Sequence, residues 1–255
     1  WDVWTTAFSK DMKVLSAWDV KEKFGTQRAC FKEVVVSIIG PASPFTIHTS
    51  VTPCDNAPLV RAYSDFMIRG MKLNLKASYL RPEPPQYVVV MWMTRKSSVK
   101  WPERAYCDDK YFKCELFKHL DMRQLGRVVK NDEEVVAKLM QLDAAPYAKP
   151  RRVIFHTKDY NVMSLSEQLA VDIATDVMVG PHGAGLMHSV FMGDRAHLIE
   201  LGIDGSGGLH HFQNLAKWRR NGEHYTSVAA KNPVDVQDLF NIVRGVVERV
   251  DLSRY

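Results

Sequence analysis

A short apolar run, Val177-Met-Val179, halts at Gly180-Pro181, and a Gly-rich opening, His182-Gly-Ala-Gly185, leads into the amphipathic run 184–192. The first part reads as a buried strand and the last as a helix, joined by a turn of small residues. A helix start leaves backbone N–H groups unpaired, and its macrodipole places roughly half a positive charge there. Such a turn suits an anion, above all a phosphate. Gly183 and Gly185 would let that phosphate approach the backbone without a Cβ in the way. His182, at the tip, offers a hydrogen bond or a proton. The plain alternative is a tight turn whose histidine caps a helix, because an isolated glycine pattern is a weak signal.

The flanks extend the pattern. Ser164-Leu-Ser-Glu167 has the form of a capping box, and Leu165, Leu169 and Ile173 follow on one helical face. His197-Leu-Ile-Glu-Leu201 reads as another buried strand, with a carboxylate, Glu200, among apolar residues. Ligands of open parallel sheets sit beyond the carboxyl ends of the strands, so His182 and Glu200 are expected at one rim. Strand-like 87–93, 153–156, 177–179, 197–201 and 225–229 alternate with helix-like 132–142, 165–174, a run from 184, 209–218 and 234–250. That alternation predicts an α/β fold, a parallel sheet with helices on both faces. The last helix is expected to start at Asn232-Pro233, a cap and first-turn pair. Upstream, 33–39 is strand-like, and Leu59, Met67 and Met71 predict a helix over 57–73. Arg81-Pro-Glu-Pro-Pro85 continues neither element and marks a boundary.

Composition narrows the functional classes. With 255 residues and 46% apolar content, the chain supports one large domain or two small ones. It contains no apolar run of membrane-spanning length. The net charge of +5 is scattered, without the basic–aromatic stripe that nucleic acid requires. Four cysteines allow three pairings; the local one, Cys30 with Cys54 and Cys107 with Cys114, suits an oxidising lumen. Free thiols in a reducing compartment are the alternative, whereas zinc would need tighter spacing and nearby histidines. No Asn-x-Ser/Thr sequon is present. Gly205-Ser-Gly-Gly208 imitates a nucleophile elbow, but Asp204 stands where that motif needs glycine, which excludes a serine hydrolase. A dehydrogenase or epimerase would need G-x-G-x-x-G after 87–93, and none follows.

The run 164–168, then Gly180-Pro-His-Gly-Ala-Gly-Leu186, then Ile199-Glu-Leu201 resembles the donor-binding half of glycosyltransferase family 61. Cys30-Phe-Lys-Glu33, Cys54 and Pro58-Leu-Val-Arg-Ala-Tyr-Ser-Asp-Phe66 are similar to its animal O-GlcNAc transferase branch. Val88-Val-Val-Met-Trp-Met-Thr-Arg-Lys96 followed by Arg104 is similar to the family's strand with two downstream arginines. The resemblance also extends to the plant xylosyl- and arabinosyltransferases, and it covers the chain from about Cys30 onward. It implies a GT-B-like, Rossmann-type sheet over 81–230, preceded in 1–80 by a remnant of the acceptor-side half and a linker helix. The C-terminal helix within 231–255 is then expected to pack back toward that N-terminal half. Because members are usually longer, the chain reads as the C-terminal, donor-binding portion.

The resemblance further implies an inverting transfer of a GlcNAc, xylose or arabinose unit from a UDP-sugar to a protein or polysaccharide hydroxyl. No metal and no other cofactor is expected, in keeping with the lack of an Asp-x-Asp pair at a strand end. The partners implied are a nucleotide sugar and a glycan or protein acceptor in the Golgi or endoplasmic reticulum lumen. Membrane contact would come only through an upstream signal anchor. The donor-binding set is then Arg95, Arg104, Gly180, His182, Gly183, Ala184, Gly185, Glu200 and Arg61. His182 and Arg104 would stabilise the leaving diphosphate, and the general base is expected upstream of this chain. The competing reading is an inactive pseudo-transferase that binds a nucleotide or glycan.

Each residue also has a plainer reading. Arg95 and Arg104 are either a bidentate diphosphate clamp or surface charges. Glu200 either accepts ribose hydroxyls or pairs with a lysine at a strand end. Arg61 faces an interdomain cleft or forms a salt bridge. His188 is expected to point away from His182, and His156, Tyr160 and Met163 line a base pocket or a plain loop. One departure stands out: the family tends to have asparagine after the second arginine, whereas this chain has Cys107-Asp108-Asp109.

Overall fold

The computed structural model describes residues 22, 57–73, 87–95, 128–149, 151–204, 210–219 and 224–250. Five parallel strands lie in the order β2-β1-β3-β4-β5: β1 Tyr87–Met93, β2 Arg152–Lys158, β3 Val177–Pro181, β4 His197–Ile203 and β5 Tyr225–Ala230. The helices are α1 Pro58–Gly70, α2 Asp132–Leu139, α3 Leu165–Ala174, α4 His211–Trp218 and α5 Val236–Arg249. Short 3-10 segments, Met140–Ala144 and Tyr160–Val162, and a longer 3-10 helix, Ala184–Phe191, complete the layers. This is the α/β, Rossmann-type architecture expected of a GT-B-like donor half.

The strand periodicity of two explains the two cores. Val88, Val90 and Trp92 of β1, with Val177 and Val179 of β3 and Ile199, Leu201 and Ile203 of β4, meet α2 and α5 on one face. Met91, Met93, Met178 and Leu198 point the other way, against Leu186 and Met192 of the 3-10 region and Phe212 of α4. Strands buried on both faces read as continuous apolar runs, as Tyr87-Val-Val-Val-Met-Trp-Met93 does. Ser164 caps α3 through the predicted box, its side chain accepting from Glu167 N while Glu167 returns to the Ser164 backbone.

Two expectations change. The run from 184 is a 3-10 helix, Ala184–Phe191, whose buried positions are Leu186, Ser189, Val190 and Phe191. The cap of α5 is Asp235, which accepts from Gln237 N and Asp238 N. Asn232 instead bridges loops, accepting from Lys130 N at 2.8 Å and donating to Val128 O at 2.9 Å.

Helices α5 and α1 both belong to the body of the sheet. Helix α5 lays Leu239, Phe240, Val243, Val246 and Val247 on the sheet core beside α2. Each buried side chain of this kind contributes about 1.5–3 kcal/mol. The predicted linker helix, α1, packs Val60, Met67 and Ile68 against Leu169, Ile173, Val190 and Phe191. Its entry is tied by Ala57 N to Trp218 O at 2.8 Å. Apart from residue 22, the remnant before residue 57 lies outside the described residues, as do the 33–39 run and the 81–85 boundary.

Candidate functional site

The order β2-β1-β3-β4-β5 reverses direction between β1 and β3, and a crevice opens at such a switch point beyond the strands' carboxyl ends. Arg95 follows β1 there, and the turn 182–185 follows β3. Gly183 has φ +151° and ψ 175°, a region essentially reserved for glycine. A Cβ on Gly183 would lie 2.2 Å from Arg95 Nη2 and 2.7 Å from its Cζ, so the guanidinium rests on the bare α-carbon. Thus Arg95 and the Gly-rich turn form one surface.

The other glycines serve β1. A Cβ on Gly180 would stand 3.0 Å from Met93 Cβ, and one on Gly185 would stand 2.5 Å from Met93 Sδ. Their bareness seats the 3-10 helix on Met93, whereas Gly185 was expected to clear a path for phosphate. Ala184 is exposed, and the first cap bond of the 3-10 helix runs from Leu186 N to Gly183 O at 2.9 Å. Among the described residues, the N–H groups of Ala184 and Gly185 have no acceptor. They are available to an anion.

His182 lies in this surface, with its backbone N–H held by Leu201 O at 2.8 Å. Its Nδ1 meets Glu200 Oε1, and the other carboxylate oxygen accepts from Tyr225 OH at 2.5 Å. Glu200 is only 1% exposed. It therefore holds His182 in place, with one carboxylate oxygen on the ring and the other on the phenol. Tyr225 was not foreseen. It pairs with Leu198 in register and reaches diagonally to Glu200 on the same face. Burial, and then the neighbouring carboxylate, push its phenol pKa up. Phe212 stands edge-on to the His182 ring at 5.4 Å.

A second chain of the same kind lies deeper in the helical layer. His188 Nδ1 is 2.8 Å from Asp172 Oδ2, and Tyr160 OH bonds the other oxygen. Asp172 is fully buried, which raises its pKa, while the His188 partnership opposes that rise. His188 thus points toward α3, away from His182, as expected. Tyr160 is committed to Asp172, and the Tyr160 and Met163 carbonyls accept from Gln168 Nε2. His156 is half-buried with its Nε2 unpartnered; burial, and then Lys158, lower its pKa.

Arg61 sits elsewhere. Its Nη1 pairs with Asp194 Oδ1 at 3.0 Å, in the loop that feeds the amino end of β4. That places it at the opposite end of the strands from His182. Arg219, missed in the sequence, braces the same loop through Met192 O at 2.6 Å and Gly193 O at 2.5 Å. Burial, and then Arg61, pull its pKa down to about 9. Arg104, Cys30, Cys54, Cys107 and Cys114 lie outside the described residues, as do Asp108, Asp109 and 205–208.

The family model described as Glycosyltransferase 61 matches residues 47–199. The chain belongs to this family. It is 26% identical over 187 residues to the EGF domain-specific O-linked N-acetylglucosamine transferase of Drosophila melanogaster, covering 72% of this chain and 28% of that protein. The Gallus gallus protein of the same name is 25% identical over 236 residues, covering 91% of this chain and 36% of its own length. The Bos taurus one is 23% identical, covering 91% and 37%. The chain therefore spans about a third of these curated relatives. The matched region takes in Arg95 and the His182 turn; Tyr225 lies beyond it.

Proposed function

We propose that the protein is an inverting glycosyltransferase and that this chain holds its UDP-sugar site. What supports the reading is the packing of Arg95 on Gly183 at the switch point, beside the unpartnered N–H groups of Ala184 and Gly185 and the His182 ring. A nucleoside diphosphate needs such a convergence of a planar cation, backbone donors and an imidazole. During transfer the bond from the anomeric carbon to the diphosphate oxygen breaks, and its electron pair stays on the diphosphate. Arg95, His182, the free N–H groups and, by the family resemblance, Arg104 stabilise that growing charge without a divalent metal. The acceptor hydroxyl attacks from the opposite face, and its proton passes to a base that we place upstream of this chain. A GlcNAc, xylose or arabinose donor and a protein or polysaccharide acceptor belong to the same proposal. So does a Golgi or endoplasmic reticulum lumen that oxidises Cys30–Cys54 and Cys107–Cys114.

Thermal melting with UDP, GDP and CMP at millimolar concentration tests the binding step. UDP at a hundred times its dissociation constant should stabilise the fold by about 2.7 kcal/mol. A silent panel overturns the proposal. In the full-length enzyme, His182→Ala should lower turnover about a hundredfold, with donor affinity changing far less.

A further inference from the structure

We infer that Glu200 and Tyr225 are positioning residues that fix the tautomer and the aim of His182, leaving Nε2 as its working atom. The inference rests on the proposal that His182 faces the donor, and it assigns the side chains that make that role effective. The chain of contacts runs Tyr225 OH, Glu200 carboxylate, His182 Nδ1, with Glu200 and Tyr225 on one face of β4 and β5 and His182 one residue past the end of β3.

Chemistry gives this chain a direction. A phenol donates to a carboxylate, and an ionised carboxylate only accepts, so the proton between Glu200 and His182 sits on Nδ1. The raised pKa of Tyr225 keeps its hydroxyl a donor over the working range of pH. A carboxylate 1% exposed is costly unless both oxygens are hydrogen-bonded, and here both are. Nε2 then remains. It has no partner among the described residues, and it is not one of the sealed polar atoms that lack one. When Nε2 carries a proton it donates to a diphosphate oxygen, and the carboxylate behind the ring offsets the imidazolium charge. Phe212 edge-on to the ring and the Leu201 carbonyl on the backbone restrict the remaining freedom.

The fold supplies its own control. Tyr160, Asp172 and His188 repeat the tyrosine–carboxylate–histidine chain away from the turn. Removing the Tyr160 hydroxyl perturbs a buried carboxylate of the same kind without touching His182.

The test is long-range proton–nitrogen NMR of histidine-labelled full chain, with UDP as the probe. In the wild type, neutral His182 should carry its proton on Nδ1, and UDP should move the Nε2 resonance. Glu200→Gln should reverse or mix the tautomer, because the amide can donate to Nδ1. Tyr225→Phe should shift the Nδ1 signal, and Tyr160→Phe should leave both His182 signals in place. In the full-length enzyme, Tyr225→Phe should lower kcat about tenfold with the donor KM nearly unchanged, as expected for loss of a hydrogen bond to a charged group. A proton on Nε2 in the wild type overturns the inference. So does a Tyr225→Phe protein whose Nδ1 signal and kcat are both unaltered. The expected tautomer without any response to UDP sinks the donor-site reading alone and leaves the positioning chain standing.

Discussion

Replacing Gly183 by alanine is the sharpest test of the turn, because one methyl group meets two separate obstacles. The first is the backbone. At φ +151° and ψ 175° an L-residue is strained, at a cost on the order of 1–3 kcal/mol. For a chain of this size that corresponds to a fall in Tm of roughly 3–10 °C. The second is Arg95, whose Nη2 would lie 2.2 Å from the new methyl and must swing away. Displacing a bidentate partner of an anion forfeits about 1.5–3 kcal/mol of hydrogen bonding to charge, or roughly ten- to a hundredfold in UDP affinity. The two effects separate in a double-mutant cycle. Once Arg95→Ala has removed the guanidinium, Gly183→Ala should still lower Tm but should cost little further UDP affinity. Thermal melting and calorimetric titration with UDP read both axes. Strictly additive affinity losses would show that Arg95 and Gly183 do not share a ligand. An unchanged Tm in the single variant would refute the backbone argument.

Other expectations follow from the same geometry. Gly185→Ala should be milder than Gly183→Ala, because its methyl meets the pliable Met93 thioether and no strained φ; melting of the two variants side by side checks the ranking. Ser164→Ala should lose the α3 capping box and about 1 kcal/mol in denaturant unfolding, with UDP binding intact. His197 is buried neutral, its pKa lowered to about 3 first by burial and then by His224. The unfolded chain takes up that proton near pH 6.5, so its contribution is complete above that value and declines as pH falls toward 3, by at most about 1.4 kcal/mol per pH unit. His197→Gln should flatten that part of the stability profile; a slope identical to wild type between pH 6 and 4 would remove His197 from the account.

Much of the sheet was readable because burial on both faces writes itself as apolar runs. The expected bounds of β1 and α3 are those observed, since Pro85 and the Ser164 box punctuate them. The 3-10 geometry of 184–191 was not readable. That segment is apolar almost throughout, so a period of three cannot be told from 3.6. At the site, His182 and Gly183 declared themselves through small residues around a strand end. Glu200 was noticed for its charge and placed at the same rim as His182, but their direct contact was not readable, because the register that aims it at His182 is a pairing between strands. Tyr225 carried the weakest signal: an aromatic residue at the start of a half-buried strand is ordinary until β4 is laid beside it. Arg61 forms the salt bridge of its plainer reading: helix α1 fixes its azimuth but not the end of the sheet it reaches.

The interior place of β1 in the sheet has a consequence for biosynthesis. Its two hydrogen-bonding edges are completed by 152–158 and 177–181, both made long after Tyr87–Met93 leaves the ribosome. Until then Tyr87-Val-Val-Val-Met-Trp-Met93 is an uncharged, β-prone heptad with two open edges, the composition that stacks between chains. Parallel pairing of this separation is intrinsically slow. Nascent chains truncated before residue 177 should therefore be clients of holding chaperones, and a lysine at Tyr87, the one exposed position of the strand, should relieve that dependence at little cost to the finished fold.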